Sequence, residues 1–316
     1  MRKLLIAMPV FKERCPDALE LLRKHGVECI FQNTQGPVCL DDYEDQLEEI
    51  EAVITGTESF WGAEEMDRMK NLKIIARFGV GYDNVDVKEA ARRGIICTNA
   101  PDGNRNAVAE FTVALLLSLI KRIPESYNTL KQGGWAKIQG IELKDKTVGF
   151  IGFGAIARRV AELLVPFNVR FIAYDPFPRS GEIPVQMVTL PALLKESDIV
   201  LIHAAGIPET QNLICERELK LMRPSAYLVN MSRGGVVNEQ DLCNALQKKQ
   251  IAGAASDVFV NEGPGASSQL LELDNFIGTC HIAGGSVEAS SKIGLTVSKA
   301  VIDVLEGRIP QNIIQP

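Results

Sequence analysis

The sequence predicts an α/β protein built from two doubly wound parallel-sheet units, and three observations carry that reading. Short apolar runs rich in β-branched residues alternate with stretches of helical period, the pattern of parallel strands covered by helices. The alternation comes as two separate series, split by one long helical segment. The second series opens on a strand that runs directly into a glycine-rich turn and a helix.

In the first series, strands are expected at Leu4 to Pro9, Glu28 to Phe31, Ala52 to Thr55, Lys73 to Ala76 and Ile95 to Thr98. Met1-Arg2-Lys3 before Leu4-Leu5-Ile6 superficially resembles a secretory leader. Charged Lys12-Glu13-Arg14 follows, however, with no small-residue cleavage site, so a first buried strand is the expectation. Asn104 to Lys131 reads as helix, broken at Pro124 and stopped by Gly133-Gly134. The second series places strands at Thr147 to Ile151, Arg170 to Tyr174, Ile199 to His203, Ala226 to Asn230 and Ile251 to Ser256. Val287 to Leu305 is again helical in period and ends just before Gly307. Lying outside the second series, it is expected to pack back onto the first unit.

Composition removes several classes. The chain has 316 residues, 46% hydrophobic and 23% charged, as an ordinary globular protein of about two domains does. Its net charge of −6, without any long block of like charge, argues against a nucleic-acid partner. Val113 to Ile120 is the most apolar helical stretch and falls well short of the roughly 20 residues that span a bilayer, so no membrane partner is expected. Seven cysteines show no C-x-x-C spacing and cannot all pair. They read as buried thiols in a reducing, cytoplasmic setting.

The strongest chemical signal is Gly152-x-Gly154-x-x-Ala157 at a strand–helix junction. Gly152 allows the tight turn, Gly154 lets backbone approach a pyrophosphate, and Ala157 permits close helix–strand contact. The amides of Ala155 and Ile156 then face the phosphates at the helix N-terminus. Asp175 follows Gly152 by 23 positions, after a second strand, where a ribose-binding carboxylate belongs. Dinucleotide binding, and NAD in particular, is the expectation. No metal-ligand spacing is present.

Only three histidines exist. His25 beside Gly26 reads as a surface residue at a helix end. His203 closes a strand, where cofactor contact and loop packing are both open. His281 lies in Gly278-Thr-Cys-His-Ile-Ala-Gly-Gly-Ser286, a short β-like run in which pattern alone favours a buried structural histidine. Arg233, between a strand end and Gly234-Gly235, either projects from the sheet edge or caps carbonyls.

Gly152-x-Gly154-x-x-Ala157, Val229-Asn230-x-Ser232-Arg233-Gly234-Gly235, Asp257-Val-Phe-x-x-Glu262 and His281-Ile-Ala-Gly284 together resemble the D-isomer-specific 2-hydroxyacid dehydrogenases in order and spacing. Ala76-Arg77-Phe-Gly79-Val80-Gly81 and Val108-Ala-Glu110-Phe-Thr extend the likeness over nearly the whole chain. It is most like the short phosphoglycerate dehydrogenase and hydroxypyruvate or glyoxylate reductase members.

The resemblance implies a flavodoxin-like substrate domain (1–99 plus 285–316), a Rossmann NAD domain (100–284) and a cleft between them. It implies that His281 supplies a proton, Glu262 holds its other ring nitrogen, and Arg233 clamps the substrate carboxylate and keto oxygen. A carboxylate beside the imidazole keeps the acid form available near neutral pH. Arg77, Gly79, Val80 and Gly81 are implied substrate contacts, and Asp257 a contact to the nicotinamide carboxamide unless it merely caps a loop. A homodimer through the helix after Asn104 is also implied, with a fully intradomain helix as the alternative.

The implied activity is NAD-dependent interconversion of a D-2-hydroxy acid and its 2-keto acid. Arg77 leans this toward 3-phosphoglycerate, with Arg105 able to assist, whereas Glu58 would repel a dianion. Hydroxypyruvate or glyoxylate reduction is a near-equal alternative, and a non-enzymatic NAD(H)-sensing protein is the rival from another class. Asp175 predicts NAD over NADP, with Arg179 slightly too far along to reverse it. No regulatory domain follows residue 316, so serine feedback is not expected. Three departures from the family pattern stand out: Gly263-Pro264-Gly265 after Glu262, Cys280 before His281, and Ala204-Ala205-Gly206 after His203.

Overall fold

The computed structural model describes residues 2–178 and 183–316, so Arg179 lies outside the described residues. The chain divides into two compact units, Met1–Asn104 with Gly285–Pro316, and Arg105–Gly284.

The first unit holds five parallel strands, β1 (Arg2–Ala7), β2 (Val27–Phe31), β3 (Ile50–Thr55), β4 (Ile74–Arg77) and β5 (Ile96–Thr98), in the order 2-1-3-4-5. This is the flavodoxin-like order. Central β1 explains its own sequence: Leu4 and Ile6 enter one core with Phe11 and Leu22, and Leu5 and Ala7 enter the other with Tyr43 and Trp61. Burial on both faces requires a continuous apolar run, not an alternating one. The strand stops at Ala7, short of the expected Pro9, which has no N–H for the ladder. The helix Val287–Leu305 packs on this unit, contributing Ile293, Val297 and Val301 to the core beneath β1, β3 and β4.

Among the described residues the second unit holds seven parallel strands: β6 (Thr147–Ile151), β7 (Arg170–Tyr174), β8 (Gln186–Met187), β9 (Ile199–Ile202), β10 (Tyr227–Asn230), β11 (Gly253–Ser256) and β12 (Phe276–Gly278). Their order is 12-11-10-9-6-7-8, the doubly wound Rossmann arrangement with one added edge strand. β8 and β12 have no counterpart among the strands expected from sequence. Both are edge strands of two or three residues, too short to show a period, and β8 is exposed throughout. The β-like run expected from Gly278 to Ser286 is strand only up to Gly278. Beyond it the chain is loop, and His281 takes a left-handed φ of 52°.

The long segment after Asn104 is two helices, Arg105–Ile120 and Ile123–Lys131. The break falls at Arg122, which is left-handed, and Pro124 sits in the first turn of the second helix, where its missing N–H costs nothing. The first of these helices buries Val108, Thr112, Leu115, Leu116 and Leu119 against Phe150, Val160 and Leu164 of its own unit. No helix among the described residues is long and apolar enough to cross a membrane.

The sheet register brings the ends of five strands together. Ile151 pairs with Tyr174 and Ile202, Ile202 with Asn230, and Asn230 with Ser256. The residues beyond these ends, Gly152, Asp175, His203, Arg233 and Asp257, therefore share the carboxyl edge of one sheet.

Candidate active site

The turn after β6 is built as the glycine pattern requires. Gly152 has φ +82°, and a Cβ there would lie 2.8 Å from the Ala204 backbone nitrogen. Gly154 caps the helix Ala155–Leu164, and the space where its Cβ would project is open. The amides of that first turn have no partner within the helix, so Gly154, Ala155 and Ile156 present an anion-binding cradle. Ala157 is fully buried against the sheet. Asp175 is tied to the same turn: its Oδ2 accepts from Phe153 N at 2.8 Å and its Oδ1 from Phe177 N at 2.8 Å. These residues fit a dinucleotide, with pyrophosphate on the helix N-terminus and a ribose at Asp175.

His281 and Glu262 meet directly. His281 Nδ1 and Glu262 Oε2 are 2.7 Å apart, and Glu262 Oε1 accepts from Phe259 N at 3.0 Å. The imidazole is about one-third exposed, so the buried structural histidine suggested by pattern is not what the structure contains. With Nδ1 engaged, Nε2 is the remaining nitrogen for chemistry. Burial pushes the Glu262 carboxyl up, but the His281 hydrogen bond and charge, the Phe259 amide and the Arg233 charge outweigh it and hold the group below its ordinary value.

Asp257 organises the loop that carries this histidine. It is 1% exposed, its Oδ1 accepts from Thr279 Oγ1 and Ile282 N, and its Oδ2 accepts from Ala283 N. Its backbone carbonyl accepts the His281 amide at 2.8 Å. These bonds are those of the loop-capping alternative, and they fill most of the carboxylate's acceptor positions.

Arg233 is positioned by buried Asn230, whose Oδ1 accepts from Ser232 N and Oγ and whose Nδ2 donates to the Arg233 carbonyl. Its Nη1 donates to Ser232 O at 2.8 Å, so carbonyl capping is present. Two glycines make room around it. A Cβ on Gly206 would lie 2.6 Å from Arg233 Cγ, and one on Gly234 would lie 2.0 Å from the Phe259 carbonyl carbon. The second contact presses the arginine turn against the segment leading to Glu262. Asn230, Ser232 and Thr279 are positioning groups whose task does not emerge from the motifs that contain them. Their signal is a short polar side chain at or directly after a strand end.

His203 behaves differently. Its ring lies 6.4 Å from that of Phe150 at an interplanar angle of 30°, and both ring nitrogens are buried without a hydrogen-bond partner among the described residues. Burial lowers the imidazole to about 4, so it is neutral in the folded protein. Loop packing is what its side chain does here, while its backbone lies against Gly152.

In the first unit, Arg77 ends β4 and is buried, 6% exposed, with Nη1 donating to the Phe78 carbonyl. Gly79 is left-handed and uses its N–H on the Arg77 carbonyl, which leaves the Val80 and Gly81 amides as the available anion donors of that turn. Asn99 Nδ2 fixes the turn by donating to Val80 O. Asn84 ties the neighbouring loop after β3 through Gly56 O and Ser59 O. Among the described residues no group of three His, Cys, Asp or Glu could hold a metal ion.

A Rossmann sheet with a phosphate-binding turn, a ribose-side carboxylate and a His–Glu pair at one edge defines a dinucleotide-binding α/β protein. Residues 113–283 match the model of the D-isomer specific 2-hydroxyacid dehydrogenase NAD-binding domain. The chain is 39% identical to a glyoxylate reductase of Thermofilum pendens over 262 residues, covering 80% of this chain and 77% of that protein. It is 34% identical to a D-3-phosphoglycerate dehydrogenase of Archaeoglobus fulgidus over 317 residues, covering 99% of this chain. The chain spans only 59% of that dehydrogenase's length, and 43% of the Synechocystis one. The solved structure of the TT0316 protein from Thermus thermophilus superposes with a TM-score of 0.90 at 31% identity, covering both chains fully. The chain belongs to the D-isomer specific 2-hydroxyacid dehydrogenase family.

His203 yields a stability prediction. The folded state holds it neutral down to about pH 4, whereas the unfolded chain protonates it near 6.5. The folded state thus binds fewer protons, and the contribution is fully present above about pH 6.5 and lost as pH falls toward 4. His203→Phe, which keeps the ring against Phe150, should flatten that part of the curve by up to about 3 kcal/mol. Urea unfolding of both proteins at pH 7 and pH 5 checks this, and identical pH dependence would contradict it.

Proposed function

We propose that this chain interconverts a small D-2-hydroxy acid and its 2-keto acid, with NAD as the hydride carrier. The observation that supports the reading most is the 2.7 Å pair of His281 and Glu262 at the sheet edge that also bears Gly152-x-Gly154 and Asp175. Bound NAD supplies a nicotinamide ring that accepts or donates the hydride. The Gly154, Ala155 and Ile156 amides would hold its pyrophosphate and Asp175 its ribose, while His203 supports the turn through its backbone.

The remaining steps belong to the protein's own residues. Reduction leaves negative charge on the former carbonyl oxygen, which needs a proton. His281 Nε2 delivers that proton, and Glu262, already ionised and bonded to Nδ1, steadies the imidazolium. In the oxidative direction the same nitrogen takes the proton away. Arg233 binds the substrate carboxylate and polarises the keto oxygen through its planar fork. Asp257 keeps the histidine loop in place.

Within the class, two features favour an unphosphorylated acid such as glyoxylate or hydroxypyruvate over 3-phosphoglycerate. Arg77 is buried on its own chain's carbonyl, and Glu58 is an exposed carboxylate on the loop after β3. The relatives matched over most of their length are named glyoxylate and hydroxypyruvate reductases. We also infer a homodimer, formed less by Arg105–Ile120, whose apolar residues largely serve its own core, than by the next helix. There Ile123, Tyr127 and Leu130 are all more than half exposed at helical spacing, and Trp135 beyond them is 86% exposed.

Steady-state turnover of a 2-keto-acid panel should be rapid with NADH and far weaker with NADPH, since Asp175 repels a 2′-phosphate. His281→Ala should lose roughly 10²–10⁴-fold in rate yet still bind NADH. Absence of turnover with every acid, together with tight NADH binding, would instead favour an NAD(H)-sensing protein.

Arg77→Ala tests the phosphate question. It should leave hydroxypyruvate reduction within about threefold of wild type if the substrate carries no phosphate. Strong wild-type activity on 3-phosphoglycerate that Arg77→Ala abolishes would reverse the assignment.

Sedimentation measures the oligomer. Wild type should run as a dimer, and Leu130→Glu combined with Tyr127→Glu should shift it to monomer at micromolar concentration. A wild-type monomer would exclude the interface.

A further inference from the structure

Glu262 is carried by a segment with little to hold it. Residues 260–267 are all exposed, and Gly263 and Gly265 take left-handed φ values of 116° and 82° around Pro264. A stretch without buried side chains and with two glycines has high conformational entropy when free. Yet it must present a carboxylate 2.7 Å from His281. Something outside the segment has to fix it.

That group is Glu239, at the start of the helix Glu239–Gln247. Its Oε1 accepts from Val260 N at 2.6 Å and its Oε2 from Ser268 Oγ at 2.9 Å. One carboxylate therefore closes the loop at both ends, two residues before Glu262 and six after it. Charge-assisted bonds of this kind are stronger than neutral ones. Ser268 in turn caps the turn Gln269–Glu272 through Leu270 N, which anchors the far end to the buried Leu270.

We propose that Glu239 is a positioning residue, holding the 260–268 loop so that Glu262 stays on His281. It touches neither substrate nor cofactor and acts only through Glu262, so the inference rests on the reading of His281 as the proton-transfer group. The charged and titratable groups around that pair are Arg233 from the turn after β10, Asp257 from the end of β11, Cys280 beside the histidine, and Glu239 itself behind the loop. The Asp257 carboxylate is committed to the Ile282 and Ala283 amides and the Thr279 hydroxyl, so it is not placed to replace Glu262.

Glu239→Ala should release both loop ends, lower the maximal rate of keto-acid reduction roughly tenfold and leave the NADH dissociation constant unchanged. The high-pH limb of reduction should move to lower pH, because the imidazolium loses its carboxylate for part of the time. Glu239→Gln keeps an acceptor for Val260 N and a donor to Ser268 Oγ, and should restore most of the rate and the pH profile. Ser268→Ala removes one bond only, and should give a smaller shift in the same direction should Glu239→Ala fold poorly. A Glu239→Ala or Ser268→Ala enzyme with a wild-type pH profile would overturn the proposal. The two readings fail separately. If His281→Ala is fully active, the histidine assignment is wrong. If His281→Ala is inactive while the Glu239 and Ser268 variants behave as wild type, only the positioning role is wrong.

Discussion

A parallel sheet ends every strand on the same side, and the rest of the second unit depends on that constraint. Because β6, β7, β9, β10 and β11 run parallel and in register, the loops after them converge without long-range steering. Five separate stretches of sequence, spread from Gly152 to Asp257, thereby contribute to one edge. The strands are apolar through their middles, with polar residues such as Asn230 at their ends. Their work is to place the loops at their carboxyl ends.

Converging loops bring a second requirement. Polar backbone close to a reactive surface has few apolar side chains to anchor it, so it must be held by hydrogen bonds. This protein uses carboxylates for that purpose. Asp175 grips the glycine turn, Asp257 grips the histidine loop, and Glu262 both receives the Phe259 amide and faces His281. Each is acceptor-rich, able to satisfy two or three donors at once. Glycine supplies the complementary property, since Gly152, Gly206 and Gly234 stand where a single added carbon would strike neighbouring backbone or Arg233. Within the departure at Ala204-Ala205-Gly206, that contact accounts for Gly206.

The division of labour between neighbouring groups is electrostatic. His203 and His281 follow the same kind of strand edge, yet one is shut among Phe150 and its neighbours and driven neutral, while the other is partly open and paired with a carboxylate. Only the second is equipped to exchange a proton with a bound molecule. The identity of the residue does not separate them, and neither does its place after a strand.

What the sequence determined by itself was periodic or locally encoded. The boundaries of β6, β7 and the helix Val287–Leu305 were legible because burial on fixed faces imposes a period on the residues. The Gly152 turn and Asp175 were legible because a left-handed φ and a helix N-terminus need particular residue types at fixed spacing. The pairing of His281 with Glu262 was available only through the family resemblance, since 19 residues separate them and no local pattern joins them. Tertiary structure alone decided the rest. It sent His203 inward, committed Asp257 to the loop, folded Arg77 onto its own chain's carbonyl and moved the helix break from Pro124 to Arg122. It also joined Glu239 to both ends of the Glu262 loop, contacts across 21 and 29 positions that leave no pattern in the chain. Such outcomes depend on which neighbours compete for each hydrogen bond and each unit of space, and those neighbours exist only once the chain has folded.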